Sequence, residues 1–161
     1  MAEAPERFKP VLSILTDEVR CWYGRRLVSL AVFGSVARGV ATSESDLDFL
    51  IVAEDLPNGR MSRLREFLSL EKEMVERHGE MTHIELSPLF KTPMEVEIGS
   101  PLFWDMTESV IILHDRDSFF QNALLKVKQR LTELGAYKVT KGDAWYWVFK
   151  GDYTPGEVFE I

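Results

Sequence analysis

The chain has 161 residues, of which 45% are hydrophobic and 28% are charged, and its formal net charge is −7. This length suits one domain, or one domain with an appendage, and the apolar content is enough for a core without disulfide staples. An acidic chain is a poor candidate for coating long nucleic acid, because phosphate contacts need Lys and Arg, but carboxylates suit a site for divalent cations.

The one cysteine, Cys21, excludes an intrachain disulfide and a cysteine metal site. Because it lies beside Trp22 in an apolar stretch, we predict that it is a small core residue. Residues 1–10 are charged and lack the apolar region of a signal peptide, and no apolar run has the length of a membrane span. We therefore expect a cytoplasmic protein without membrane contact.

The first third of the chain predicts a helix and two buried strands. Apolar residues recur at helical spacing over residues 11–22, and Gly24 can end the helix. Residues 27–33 and 47–53 are short and almost continuously apolar, as expected of buried strands. Residues 36–45 between them are small and polar, which indicates a turn or short helix followed by a loop.

The middle of the chain predicts a second helix and a third strand. Residues 61–78 carry apolar side chains on one side of a helix, and Gly79 can end it. Residues 81–86 alternate well enough for a strand. Pro88 is predicted to end that strand, because proline has no N–H to donate to a neighbouring strand.

The distal part predicts further helix and a terminal hairpin. Residues 102–113 are expected to form a helix that passes into an extended segment. Asp117 or Ser118 is predicted to cap another helix, which ends before Gly135. Residues 137–150 predict a hairpin, and the remaining residues an irregular tail.

This order of elements predicts a mixed α/β fold of the α+β kind, with a small mixed β-sheet flanked by helices. We expect a core over residues 1–90. Residues 91–161 are expected to form a C-terminal helical extension with a terminal hairpin, packed on the core as one compact unit.

Residues 32–52, VFGSVARGVATSESDLDFLIV, are the chemically informative stretch. Gly34 follows a strand at a point where backbone can approach a ligand closely, and Ser35 adds a hydroxyl. If residues 35–38 begin a helical turn, their N–H groups can bind phosphate.

Asp46 and Asp48 flank Leu47 at the start of the next strand. Because the period of a strand is two, both carboxylates are expected on one face. Their mutual repulsion is relieved by a divalent cation such as Mg²⁺, which prefers hard oxygen ligands and keeps substrate phosphates as further ligands. A phosphate-binding turn that faces a metal-binding pair of carboxylates is the arrangement used for phosphoryl or nucleotidyl transfer.

Gly34-Ser35, ten intervening residues and Asp46-x-Asp48 resemble the signature of the polymerase-beta-type nucleotidyltransferase superfamily. The loop with Ala37-Arg38-Gly39 and Ser45 resembles its minimal nucleotidyltransferase branch, which has archaeal members and antitoxin-like partners of HEPN-domain proteins. The specific motif covers residues 32–52 and a looser match reaches about residue 90. The alternative interpretation is a polar turn with a capping aspartate pair.

The resemblance implies roles for these residues. Two Mg²⁺ ions would be bound by Asp46 and Asp48 and by a third carboxylate on a neighbouring strand, which can also act as general base. Glu85 is our choice for it, with Glu95 and Glu97 as fallbacks, although many relatives have Asp there and a solvent-facing strand Glu is the alternative. The nucleotide triphosphate would be held by Gly34, Ser35, Arg38, Gly39 and Ser45.

The function implied is Mg²⁺-dependent transfer of a nucleoside monophosphate, in particular AMP from ATP, to a hydroxyl acceptor with release of pyrophosphate. The alternative is an antitoxin-like binding partner of a HEPN-domain protein, with catalysis secondary or absent. A homodimer is also open, and neither the acceptor nor the preferred base follows from the sequence.

Three further features are expected to matter less. Asp115-Arg116-Asp117 repeats the spacing of the aspartate pair but opens a helix, so capping is the favoured interpretation. His83 shares strand parity with Glu85 and could line the site, although a lone His is more often structural. The aromatic run 145–147 could stack a nucleobase, but hairpin packing or a dimer contact is favoured.

Overall fold

The structure is a computed structural model and describes residues 4–79, 84–142 and 144–151. Four strands form one mixed sheet in the order β3-β2-β1-β4, with bounds β1 Leu27–Val32, β2 Leu47–Ala53, β3 Leu86–Lys91 and β4 Ile111–Asp115. β1 pairs antiparallel with both β2 and β4, whereas β2 pairs parallel with β3. β5 and β6 form a separate antiparallel hairpin, with bounds Tyr137–Lys141 and Ala144–Val148.

Helices cover both faces of the four-stranded sheet. Their bounds are α1 Lys9–Tyr23, α2 Gly34–Ala37, α3 Arg60–His78, α4 Pro93–Ile98, α5 Leu102–Met106 and α6 Phe119–Glu133. The predicted fold class, a mixed sheet flanked by helices with a distal helical part and a hairpin, is confirmed. Within the described ranges, no helix combines the length and apolar character needed to cross a membrane.

Two hydrophobic cores, one on each face of the sheet, explain why β1 and β2 are almost continuously apolar. Phe49 and Ile51 contribute to the core formed with α1 and α3. Leu50 and Val52 contribute to the core formed with α4, α5 and α6. Asp48 shares the parity of these last two residues, so its side chain belongs to the face that carries α5.

The predicted bounds of the third strand are wrong, because only Leu86 of the described residues 84–86 lies in β3. Ile84 and Glu85 lie outside β3, Pro88 lies inside it, and residues 81–83, including His83, lie outside the described residues. The N–H of Leu47 donates to the carbonyl oxygen of Glu85 at 2.8 Å. Because the residues that bond to β2 alternate along a parallel ladder, the nitrogen of Pro88 faces away from β2, where an edge strand tolerates proline.

The start of α6 also differs from the prediction. Ser118 occupies the cap position in the left-handed conformation, and no side-chain cap bond is formed there. Asp115 supplies the cap instead, because its carboxylate oxygens accept from the N–H groups of Phe120 and Gln121 at 2.9 and 3.0 Å. The capping role predicted for the Asp115-Arg116-Asp117 segment therefore belongs to its first residue.

Two smaller features escaped the sequence analysis. Cys21 is exposed rather than buried, because α1 turns its side chain away from the sheet-facing residues Val19 and Tyr23. The short helix α4 begins with a capping box, in which the hydroxyl of Thr92 accepts from the Glu95 N–H and the Glu95 carboxylate accepts from the Thr92 N–H. The Thr-x-x-Glu spacing was the signal for this helix.

Candidate active site

Gly34 and Asp48 meet where β1 ends. The N–H of Phe33 donates to the carbonyl oxygen of Asp48 at 3.0 Å, which continues the pairing of β1 and β2 by one residue. Gly34 then adopts a φ of +69°, and a Cβ atom on it would lie 2.1 Å from Oδ2 of Asp48. Only glycine allows the carboxylate to lie this close to the backbone.

The aspartate pair is short of positive charge. Burial raises the pKa of the Asp48 carboxyl, and the charge of Asp46 raises it further. A hydrogen bond from Ser87 and the charge of Arg38 act in the opposite direction without reversing the shift. The partly uncompensated carboxylate of Asp48, with the charge of Asp46 close to it, is a donor set that fits Mg²⁺.

The α2 segment carries the other predicted nucleotide-binding residues. Ser35 lies in the first turn of α2, and its carbonyl oxygen accepts from the N–H of Val40 at 3.0 Å. Gly39 has a φ of +73° and donates to the carbonyl oxygen of Val36, so its conformation ends the turn. The hydroxyl of Ser45 accepts from the N–H of Thr42 at 2.9 Å and thereby shapes the loop that leads to Asp46.

Glu85 lies directly before β3, the strand that pairs with β2 and its aspartates. Because Asp48 is paired with Ser87, continuing the register places Glu85 level with Asp46. Its side chain is exposed. Across residues 4–79, 84–142 and 144–151, no group of three or more His, Cys, Asp and Glu side chains is placed to hold a metal ion. Its predicted role as third carboxylate therefore stays a prediction.

The two fallback carboxylates are engaged elsewhere. Glu95 forms an ion pair with Arg63 at 2.7 Å, and the hydrogen bond from that guanidinium holds the pKa of Glu95 below its usual range. Glu97 lines a cavity of about 760 Å³ between α4 and α6. None of the eight predicted site residues is among the described residues that line this larger cavity. The size of a cavity alone therefore does not locate the site.

A smaller cavity of about 230 Å³ opens beside Asp48. Gly34 and Arg38 line it together with Asp48, and Trp145 and Lys138 of the hairpin line its other side. The guanidinium carbon of Arg38 lies 5.0 Å from the ring centroid of Trp145. The structure thus brings Gly34, Asp48 and Arg38 together and adds two residues of the distal hairpin to them.

The residues that the sequence analysis missed here are Ser87 and the hairpin contacts. Ser87 lies two residues after Glu85, and only the register of β3 shows that it faces Asp48. Asp105 on α5 accepts hydrogen bonds from the indole nitrogens of Trp145 and Trp147, both at 3.1 Å. No local pattern marked Asp105, because its partners lie about forty positions further along the chain.

Comparison with known proteins shows the family of this chain. Residues 14–98, just over half of it, match the family described as "Nucleotidyltransferase domain". The protein of Methanocaldococcus jannaschii named "Putative protein adenylyltransferase MJ1305" is 30% identical over 125 residues, which cover 76% of this chain and 82% of that protein.

Two solved structures are also similar. One is a toxin-antitoxin structure with AMP-PNP, at 12% identity and a TM-score of 0.46, covering 77% of this chain and 92% of that chain. The other is spectinomycin adenyltransferase AAD(9) from Enterococcus faecialis with ATP and spectinomycin, at 12% identity and a TM-score of 0.49, covering 76% and 66%.

Proposed function

This chain belongs to the nucleotidyltransferase domain family and is a transferase, and from that premise we propose that it transfers AMP from ATP to a hydroxyl group of a protein, releasing pyrophosphate. The observation that carries the proposal is the Asp48 carboxylate lying against Gly34, with the charge of Asp46 close enough to raise its pKa. Both aspartates lie inside the matched region, and Asp48 and Gly34 line a cavity large enough for part of a nucleotide.

The metal-binding residues in this proposal are Asp46 and Asp48. Mg²⁺ bound there would neutralise phosphate charge and stabilise the charge that develops during transfer. Arg38 lines the same cavity as Asp48, and it would contribute a fixed positive charge to the phosphates. Gly34 and Ser35 would bind the β- and γ-phosphates at the start of α2.

Glu85 is proposed as the general base. It lies towards β3, on the side of β2 opposite to β1 and Gly34. Its carboxylate would take the proton of the acceptor hydroxyl while the acceptor oxygen forms a bond to the α-phosphorus. The bond from the α-phosphorus to the bridging oxygen breaks, and pyrophosphate leaves on the opposite side because the displacement is in line.

The choice of donor and acceptor rests on the relative from Methanocaldococcus jannaschii, whose name describes an adenylyl transfer to protein. The net charge of −7 also disfavours long RNA as an acceptor. We propose a HEPN-domain protein, the partner implied by the sequence resemblance, as the first acceptor to test. A binding role as its antitoxin-like partner is compatible with catalysis, because a protein acceptor has to dock at the site.

The test uses the full chain, Mg²⁺, a candidate HEPN-domain protein from the same organism and ATP labelled at the α-phosphate. We expect labelled acceptor with this ATP and none with ATP labelled at the γ-phosphate, since nucleotidyl transfer retains only the α-phosphate. Replacing both Asp46 and Asp48 by Ala should reduce labelling by roughly 100-fold or more, because bound metal contributes several kcal/mol to such transition states.

The control replaces Asp17, an exposed carboxylate on α1, by Ala, and it should label as the unmodified chain does. Equal labelling by the unmodified chain and the Asp46/Asp48 double variant would refute the enzymatic proposal. Stable co-purification of the unmodified chain with the HEPN-domain protein, without labelling of that protein, would favour the binding role alone.

A further inference from the structure

Asp105 on α5 is the main polar contact of the hairpin β5–β6, and Glu108, just beyond α5, adds an ion pair with Lys138 at 2.9 Å. Asp105 accepts from the indole N–H groups of Trp145 and Trp147 at 3.1 Å and forms an ion pair with Lys138 at 2.8 Å. Burial alone would raise the pKa of Asp105, but the hydrogen bonds from Lys138, Trp147 and Trp145 hold it below its usual range. The Asp105 carboxylate is therefore a charged anchor that accepts hydrogen bonds from several donors of the hairpin.

This anchor joins the hairpin to a rigid part of the molecule. α5 is held in the hydrophobic core by Phe103 and Met106, which are 0% and 1% exposed. Trp104, also on α5, packs edge-on against Phe149, just beyond β6, with ring centroids 4.4 Å apart. Packing thus holds the hairpin on α5, and a hydrogen bond to Asp105 orients Trp145, as a preformed binding surface requires.

The ring of Trp145 forms one wall of the cavity whose other wall contains Gly34 and Asp48. Leu102 and Met106 supply apolar surface between these walls. The volume of about 230 Å³ is smaller than the roughly 300–1,000 Å³ of sites that hold a whole small-molecule ligand. The cavity therefore suits one part of a nucleotide, next to the phosphates.

In-line geometry separates the acceptor from the pyrophosphate, and the residues that line the cavity show on which of these two sides it lies. The attacking acceptor and the departing pyrophosphate lie on opposite sides of the α-phosphorus. The cavity is lined by Gly34 and Arg38, the residues assigned to the phosphates, whereas Glu85 lies on the other side of β2, towards β3. The cavity therefore lies on the nucleotide side of the site and not on the acceptor side.

The cationic groups of Arg38 and Lys138 lie 5.0 and 4.8 Å from the ring centroid of Trp145. We propose that, when Arg38 turns to the phosphates of a bound nucleoside triphosphate, the nucleobase takes its place against the ring of Trp145, so that the hairpin β5–β6 forms the base subsite of the enzyme. This inference rests on the proposed function, since it needs a triphosphate bound at Asp48. Stacking on an aromatic ring accepts every base, because every base has a π-face. We therefore expect purine triphosphates to bind somewhat more tightly than pyrimidine triphosphates, without strict selection of one base.

The experiment measures binding of two probes to the full chain by calorimetry in the presence of Mg²⁺. One probe is α,β-methylene ATP, which cannot be cleaved between the α- and β-phosphates, and the other is inorganic tripolyphosphate, which has no base. Trp145→Ala should weaken binding of the ATP analogue about 5- to 150-fold, the range for loss of one base stack. Its affinity for tripolyphosphate should stay within about twofold.

Two further variants separate stacking from folding. Trp145→Phe keeps a ring but loses the indole N–H that reaches Asp105, and it should retain most of the affinity for the ATP analogue. Tyr146→Ala removes the neighbouring exposed aromatic residue of the same strand, and it should bind both probes as the unmodified chain does. Melting temperatures of all variants would be measured beside the affinities.

Several results would overturn the inference. Unchanged affinity of Trp145→Ala for the ATP analogue would show that no base stacks there, and equal losses for both probes would assign the effect to the fold. Loss of transfer with unchanged nucleotide affinity would indicate that the Trp145 ring contacts the acceptor and not the nucleobase. If the unmodified chain bound neither probe, the proposed function itself would fail, which is distinct from a failure confined to Trp145.

Discussion

At the scale of single residues, the contact with Asp48 requires glycine at position 34. Gly34 combines a φ of +69° with a position where a Cβ atom would overlap the Asp48 carboxylate. Gly135, which ends α6, has a φ of +67° but open space around it. The two glycines therefore share a backbone conformation and differ in whether a side chain has room.

Gly34→Ala should abolish transfer and lower the free energy of unfolding by more than Gly135→Ala does. Both substitutions incur the cost of a left-handed non-glycine residue, about 1–2 kcal/mol, but only Gly34→Ala also displaces the Asp48 carboxylate. Chemical denaturation and the labelling assay measure the two effects. Adding Asp48→Ala to Gly34→Ala should restore part of the stability and no activity; without such recovery, the steric explanation is wrong.

At the scale of secondary-structure elements, one carboxylate connects β1, β4 and α6. Asp115 ends β4 and accepts the N–H groups of Phe120 and Gln121 in the first turn of α6. It also accepts a hydrogen bond at 2.6 Å from the hydroxyl of Ser29, a buried residue of β1. The chain can reach this arrangement because Asp117 and Ser118 adopt left-handed conformations between β4 and α6.

Asp115→Ala should lower the free energy of unfolding by about 2–4 kcal/mol. The helix cap contributes about 1 kcal/mol, and leaving the buried Ser29 hydroxyl without a partner costs about 1–3 kcal/mol more. Urea denaturation followed by circular dichroism measures the change. Asp117→Asn, in the same segment, should change the free energy of unfolding by no more than about 0.5 kcal/mol. An equal loss in both variants would mean that any substitution in this segment lowers stability and that the helix cap is not the cause.

At the scale of the whole molecule, the distal half completes the sheet that carries the site. β4 is the neighbour of β1, and the second core contains Val96, Phe103 and Phe120 together with β1 and β2. The division into a core over residues 1–90 and an extension over 91–161 stays a prediction. Its expected packing as one compact unit leads to a test by truncation.

A chain ending at residue 91 should fail to unfold cooperatively, because it loses β4 and exposes one face of the sheet. A chain ending at residue 135 should keep the sheet and a cooperative thermal transition, yet bind the ATP analogue more weakly. A chain ending at residue 151 serves as the control that retains the hairpin. A sharp, reversible melt of the shortest chain would contradict this prediction and make residues 1–90 an independent domain.

Much of the site followed from the sequence because its signals are local. Gly34-Ser35 and Asp46-x-Asp48 lie within one stretch of two strands and a loop, where the period of two and the freedom of glycine determine which groups come together. The long helices α1, α3 and α6 and the hairpin followed from spacing and stop residues in the same way, whereas the short helix α4 was missed. The catalytic roles of these residues are predictions that the labelling experiment decides.

What the sequence by itself determined is therefore the motif, the buried strands and the class of chemistry, each of which depends on neighbours in the chain. The tertiary structure decided where β3 lies, because Pro88 is tolerated only where an edge strand has no partner on that side. It also decided that Trp145 and Asp48, almost a hundred positions apart, line the same cavity, since Asp105 holds Trp145 there by a hydrogen bond. Such contacts depend on how whole elements pack, and no local pattern of residues encodes them.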